Sequence, residues 1–280
     1  METIRELDAL RARIAGWKRE RLRIGFVPTM GNLHAGHYSL IELAQRHGDR
    51  VVASVFVNPT QFGPNEDFSR YPRTPEQDAA GLAAAGCDAL WMPSLQTMYP
   101  HGAGQAVTVR VPGVTEVLEG AHRPGHFYGV ATVLARLFNQ VQPEVAVFGR
   151  KDYQQLAVIR YLVADLAFPV ALIAAETRRE PDGLAMSSRN QYLSPEERAL
   201  APVIHRTLLA MREGFRAGRS RVHLESDASA ELRQAGLDPD YAAIRNPDLS
   251  EPATREGTFV ALIAARLGST RLIDNLEFEA

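Results

Sequence analysis

Cysteine is almost absent from this chain: Cys87 is the only one in 280 residues, which excludes an internal disulfide. With a single thiol and no H-E-x-x-H stretch, a zinc site lacks obvious ligands. Lysine is nearly as scarce, because only Lys18 and Lys151 among the 31 basic residues are lysine and the rest are arginine. Neither sign of charge dominates, and a formal net charge of −2 gives no bias towards nucleic acid or a membrane surface. No apolar run approaches the roughly 20 residues of a spanning helix. Met1 to Arg23 is charged and amphipathic, unlike a secretory leader. Repeats and low-complexity tracts are also missing. These absences point to a cytoplasmic protein with no nucleic-acid or membrane partner, and 45% hydrophobic residues provide a sizeable core for it.

What is present reads as alternating strands and helices. Leu22–Pro28, Val51–Val57 and Glu144–Phe148 are short apolar runs with β-branched members, bounded by charge, Pro or Gly, and read as buried strands. Pro75–Gly86 reads as a helix, after which Cys87 is expected to pack. The alternation implies an α/β fold with a Rossmann-like, doubly wound parallel sheet. Beyond Ala175 the composition shifts: a helical period over Pro195–Gly218 precedes three short strands, Asp240–Arg245, Thr258–Ala264 and Thr270–Asn275. The expected domains are therefore residues 1–176 and a small α+β domain over 177–280.

Two separated segments carry most of the chemistry. In Thr29-Met30-Gly31-Asn32-Leu33-His34-Ala35-Gly36-His37, the Leu22–Pro28 strand leads through glycines into a helical period from Tyr38. A helix start after such a turn is an anion site, with free N–H groups and the positive dipole end facing phosphates. His34 and His37, three apart, can both reach that opening, and an imidazole protonated under the anion's influence bonds it more strongly. The bland reading is that they cap or pack the helix. The second segment is Met186-Ser187-Ser188-Arg189, after an irregular Pro-Asp-Gly loop. Its hydroxyls and guanidinium suit phosphate, while the bland reading is a solvated turn before the helix start at Ser194-Pro195.

Lys151 stands out in a chain that otherwise uses arginine. It follows the Glu144–Phe148 strand and Gly149, so it lies at a strand's carboxyl end, where open α/β sheets bind ligands. A compact ammonium there can neutralise a phosphoryl group, with Asp152 to orient it or help place Mg²⁺. A solvated helix start is the alternative for Arg150 to Asp152. After Val51–Val57, Asn58 and Gln61 offer neutral amides suited to a small polyol acid.

The motifs P-T-M-G-x-L-H-x-G-H, F-V-N-P-x-Q-F-G, R-P-G-H-F-x-G-V-A-T-V, F-G-x-K-D-Y-Q-Q-L and D-G-L-A-M-S-S-R-N occur in that order from about Gly25 to Leu193. Together they resemble the pantothenate synthetase, or pantoate–β-alanine ligase, family within the HIGH-motif nucleotidyltransferase superfamily. The resemblance implies ATP-dependent ligation of pantoate with β-alanine through a pantoyl-adenylate, with Mg²⁺ on the ATP phosphates and few protein ligands to it. It implies a homodimer. It assigns ATP binding to Met30, Gly31, Asn32, Leu33, His34, Ala35, Gly36 and His37, to Gly149, Arg150, Lys151 and Asp152, and to Arg178, Met186, Ser187, Ser188 and Arg189. Gln61 and Gln155 hold pantoate, with Asn58 beside them, and His37 is the proton donor. His34, His37, Lys151 and Arg189 are the expected catalytic set, and closure of the second domain over ATP is expected.

Ala35, Arg178 and Tyr128 depart from the family pattern, and Arg178 matters if its backbone meets adenine. Arg123 and His126, in a Gly- and Pro-rich loop, take a substrate-side role only through the resemblance. His47, His101 and His205 read as isolated, solvated or packed side chains. A nucleotidyltransferase with a phosphate-bearing acceptor would need a cationic pocket where Asn58 and Gln61 stand, and a silent nucleotide-binding regulator would not need the intact His34, His37, Lys151 and Arg189.

Overall fold

The computed structural model describes every residue except Asn65 and Asp67. The chain forms two compact units, one of Met1–Gly149 with Val158–Ala175 and one of Arg150–Ala157 with Glu176–Ala280. Residues 150–157, read from sequence as part of the first domain, thus belong with the second unit.

The first unit is built on six strands: β1 (Glu2–Ile4), β2 (Ile24–Thr29), β3 (Arg50–Val55), β4 (Ala89–Trp91), β5 (Val145–Gly149) and β6 (Ala171–Ala175). Their order is β1-β4-β3-β2-β5-β6 and every pairing is parallel. This is the expected Rossmann-like sheet. β2, β3 and β5 read as continuous apolar runs because helices cover both faces of a parallel sheet, and Ile24, Phe26, Val27, Val52 and Ala146 are fully buried. The connections change direction between β2 and β5, whose carboxyl ends lie side by side. Ligands of open α/β sheets bind in the crevice outside such a switch point. The helix Ala35–Gln45 follows β2, burying Ile41 and Ala44.

The second unit is an antiparallel sheet of β7 (Asp238–Arg245), β8 (Thr258–Leu267) and β9 (Thr270–Glu279), in sequence order. β8 and β9 run further than their sequence signals because a two-residue turn at Gly268-Ser269 pairs Leu267 with Thr270 and lets the ladder continue to Glu279. The single helical period expected over Pro195–Gly218 is two helices, Pro195–Leu200 and Val203–Arg216. Pro202 separates them, since it has no N–H to give and its ring crowds the preceding turn. A further helix, Arg221–Gln234, has no counterpart in the sequence reading. Its buried stripe is only Leu224, Ala228 and Leu232, too narrow and too poor in large apolar residues to stand out.

Candidate active site

The loop after β2 is built almost wholly from internal hydrogen bonds. Gly31 N–H donates to Thr29 Oγ1 at 3.2 Å, while Asn32 and Leu33 N–H donate to the Asp78 carboxylate at 3.0 and 2.8 Å. His34 is the N-cap of the helix Ala35–Gln45: its Nδ1 accepts from Gly36 N–H at 3.1 Å, and its own N–H donates to His37 Nδ1 at 3.3 Å. His37 and Tyr38 N–H both donate to the His34 carbonyl. Among the described residues, Ala35 is the one amide from Gly31 to Tyr38 without a partner. The expectation of free N–H groups facing phosphate is therefore corrected, because Asp78 and the two imidazoles already take them.

What this leaves is more specific. Each imidazole accepts at Nδ1, which assigns the ring proton to Nε2 and makes that nitrogen a donor. The ring centroids lie 4.1 Å apart. Capping and anion binding, alternatives in the sequence, are thus compatible, since they use opposite edges of the ring. Gly31 adopts φ +84, and a Cβ there would lie 2.9 Å from Asp78 Oδ2, so the close approach of Asp78 requires glycine. Asp78 is 2% exposed, and sequence reasoning missed it: it lies inside a helix, Pro75–Ala84, with nothing nearby to mark its target.

The loop after β3 centres on Asn58, which is 1% exposed. Its Nδ2 donates to Gln61 Oε1 at 3.1 Å and to the Gly129 carbonyl at 3.2 Å, and its Oδ1 accepts from Tyr99 OH at 2.6 Å and from Thr60. Both amide hydrogens and the carbonyl are used within the fold, which gives Asn58 a positioning role. It fixes Gln61, whose Nε2 also donates to Met30 Sδ at 3.1 Å. Met30, Asn58 and Gln61 are in this way brought together. Gly129 is needed because a Cβ there would strike the Thr60 carbonyl oxygen.

Arg123 and His126 buttress the same turn. Arg123 forms ion pairs with Glu66 at 2.6 Å and Glu119 at 3.2 Å. Its Nη1 lies 3.2 Å from His126 Nε2, and since a guanidinium only donates, His126 accepts there and donates from Nδ1 to the Gln61 carbonyl at 2.7 Å. Burial, then the Arg123 charge, push the His126 pKa down to about 4. A histidine held neutral in the fold is protonated first in the unfolded chain as pH drops. Stability should therefore be complete above about pH 6.5, fall between there and about 4, and level off below, by at most about 3 kcal/mol for this group. Burial raises the Glu66 pKa but the Arg123 hydrogen bond and charge outweigh it, so its net-lowered carboxyl loses its contribution at still lower pH. Urea denaturation across that range checks this, and His126→Phe should flatten the upper part; an unchanged slope would count against the assignment.

In the second unit, Arg150–Asp152 form a 3₁₀ turn and Tyr153 opens the helix to Asp165. Arg150 is engaged by Glu176 at 3.1 Å and Glu277 at 3.3 Å. Among the described residues no carboxylate lies within ion-pair reach of the Lys151 ammonium. Gln154 is buried and Gln155 partly exposed. Met186–Arg189 follow a tight hairpin in which Arg179 bridges Ala185 and Met186 N–H donates to the Arg178 carbonyl. The backbone carbonyl of Arg178 is thereby taken. Ser187 Oγ caps the turn Ser188–Tyr192 by accepting from Arg189 N–H at 3.2 Å.

Two further expectations meet the structure here. His205 is packed: its Nδ1 is buried 3.9 Å from Asp274 Oδ2 with no hydrogen-bond partner, and burial, then Arg179, lower its pKa. Cys87 is buried, and burial pushes its thiol up to about 11, which suits packing and not reactivity. Among the described residues, no three His, Cys, Asp or Glu form a metal cluster, and no helix is long and apolar enough to cross a membrane.

The pantoate-beta-alanine ligase family model matches residues 2–277. The chain belongs to the pantoate–β-alanine ligase family. The pantothenate synthetase of Stenotrophomonas maltophilia strain K279a is 65% identical over 278 residues, 99% of this chain and 100% of that protein. That of Xanthomonas axonopodis pv. citri strain 306 is 64% identical over 279 residues, with the same coverage. Among solved structures, pantothenate synthetase from Thermus thermophilus matches with a TM-score of 0.92 at 50% identity over 99% of both chains. The pantoate–β-alanine ligase of Francisella tularensis, complexed with β-γ ATP and β-alanine, matches at 0.83 and 32% identity over 99% of this chain and 97% of that one. The family read from five motifs thus holds along the whole length, and as a member the chain is a pantoate–β-alanine ligase.

Proposed function

We propose that this ligase activates pantoate as an acyl-adenylate and that its phosphate-handling groups are His34, His37, Lys151 and Arg189. The observation that carries the proposal is the pair of imidazoles, each accepting a backbone N–H at Nδ1, at a helix N-terminus beside the point where the sheet reverses direction. The pantoate carboxylate attacks the α-phosphate in line, and the donors stabilise charge as it develops on the phosphorus centre and on departing pyrophosphate. The neutral amine of β-alanine then attacks the activated acyl carbon, the acyl–oxygen bond to AMP breaks, the amine's surplus proton passes to solvent, and His37 is the group suited to hydrogen-bonding the departing phosphate from Nε2.

Gln61, held by Asn58, offers pantoate an amide whose orientation is already set, and Gln155 supplies a second. Met30 to His37, Gly149 to Asp152, and Arg178 with Met186 to Arg189 bind ATP, the Arg178 contribution resting on groups other than its occupied carbonyl. Mg²⁺ suits the chain as an ion carried on ATP, with Asp152 the carboxylate of the Gly149–Asp152 stretch. When bound, the ion supplies charge neutralisation on the phosphates. A homodimer and a cytoplasmic location belong to the same reading through the family resemblance.

The test is isotope exchange between pyrophosphate and ATP with Mg²⁺ and pantoate but without β-alanine. Exchange is expected only when pantoate is present, and its absence from protein that binds ATP would remove the adenylate from the scheme.

A further inference from the structure

Successive side chains of a strand point to opposite faces, and β9 uses both faces at one place. On one side, Asn275 is 6% exposed and gives both amide hydrogens to the turn that carries Lys151: Nδ2 donates to the Arg150 carbonyl at 2.9 Å and to the Lys151 carbonyl at 2.8 Å. Glu277, two residues on, accepts from Arg150 at 3.3 Å and from Tyr153 OH at 3.1 Å. The turn is therefore held by its backbone and its flanking residues, and the Lys151 ammonium takes no part in the anchoring.

On the other side, Asp274 is 5% exposed and receives Arg179 through both carboxylate oxygens, at 2.6 and 3.0 Å. The same guanidinium donates to the Gly183 carbonyl at 3.1 Å and to the Asn275 carbonyl at 3.2 Å. It thus ties the hairpin that leads into Met186 to the strand. Paired, nearly buried and bidentate, this contact has the geometry of a strong charge-assisted bond.

We propose that Asp274 and Asn275 are positioning residues for the reaction, setting Lys151 and the Met186–Arg189 loop from adjacent places on one strand. The inference rests on the roles proposed above for Lys151 and Arg189. Its physical content is that an ammonium or guanidinium aimed at a phosphoryl group loses much of its effect when displaced by about 1 Å.

A double-mutant cycle tests this, read by pantoate-dependent exchange. Asn275→Ala alone should lower kcat about tenfold while KM for pantoate stays within about twofold, and in a Lys151→Met background the same change should lower kcat less than about twofold. Asp274→Asn, which keeps the volume, should show the same non-additivity with Arg189→Ala. Equal effects of Asn275→Ala in both backgrounds would overturn the positioning role. If Lys151→Met alone turns over at the wild-type rate, the Lys151 assignment fails and takes this inference with it, an outcome visible before Asn275 is touched. Should Asn275→Ala not fold, Asn275→Ser keeps one donor, and a loss of about threefold that vanishes in the Lys151→Met background is expected.

Discussion

His37→Asn is expected to leave the protein close to wild-type stability while slowing pantoate-dependent exchange by about 10² to 10³. The substitution separates two functions of one ring. An asparagine Oδ1 can stand where His37 Nδ1 accepts from His34 N–H, so the reciprocal cap of the helix Ala35–Gln45 survives. Nothing in asparagine reaches the position of Nε2, so the donor to phosphate is lost. His37→Ala removes both, and should add a stability loss of about 1 kcal/mol to the kinetic defect. Melting curves beside exchange rates resolve the two. An Asn variant that is destabilised but fully active would mean that the ring serves the helix alone.

Lys151→Met should reduce kcat by a comparable factor, about 10² to 10³, with little change in stability. The neighbouring cation cannot substitute, because Arg150 is committed to Glu176 and Glu277. Lys151→Arg should not rescue the rate, since a planar guanidinium on a longer reach cannot occupy the place of a compact ammonium. Full activity in the arginine variant would show that charge alone suffices. The choice of lysine is informative in a chain with only two of them.

The parts of the molecule legible in the sequence are those set by local pattern. β2, β3 and β5 announce themselves as apolar runs, and the His34–His37 spacing marks a helix start because capping is a local event. What escaped reading depends on partners far along the chain. The amides of Asn32 and Leu33 are taken by Asp78, whose carboxylate bonds Leu33 across 45 residues, and no rule of spacing links the two. Asn58 looks like a ligand in isolation and becomes a hub only when Tyr99 and Gly129 are brought to it, 41 and 71 residues away. The helix Arg221–Gln234 is hidden for a different reason: it packs through alanine as well as leucine, so its apolar stripe is thin.

The anchoring of Lys151 by β9 also has a consequence in time. Asn275 is made 125 residues after Arg150, the residue whose carbonyl it holds. At roughly 5 to 20 residues per second that is a delay of roughly 6 to 25 s. Once Ala175 is made the nascent chain carries the whole sequence of the first sheet and its paired histidines, while the lysine turn still lacks its anchors. Full ligase activity is therefore expected only with completion of the last strand, so that a ribosome stalled before Asp274 displays a chain at least about tenfold slower.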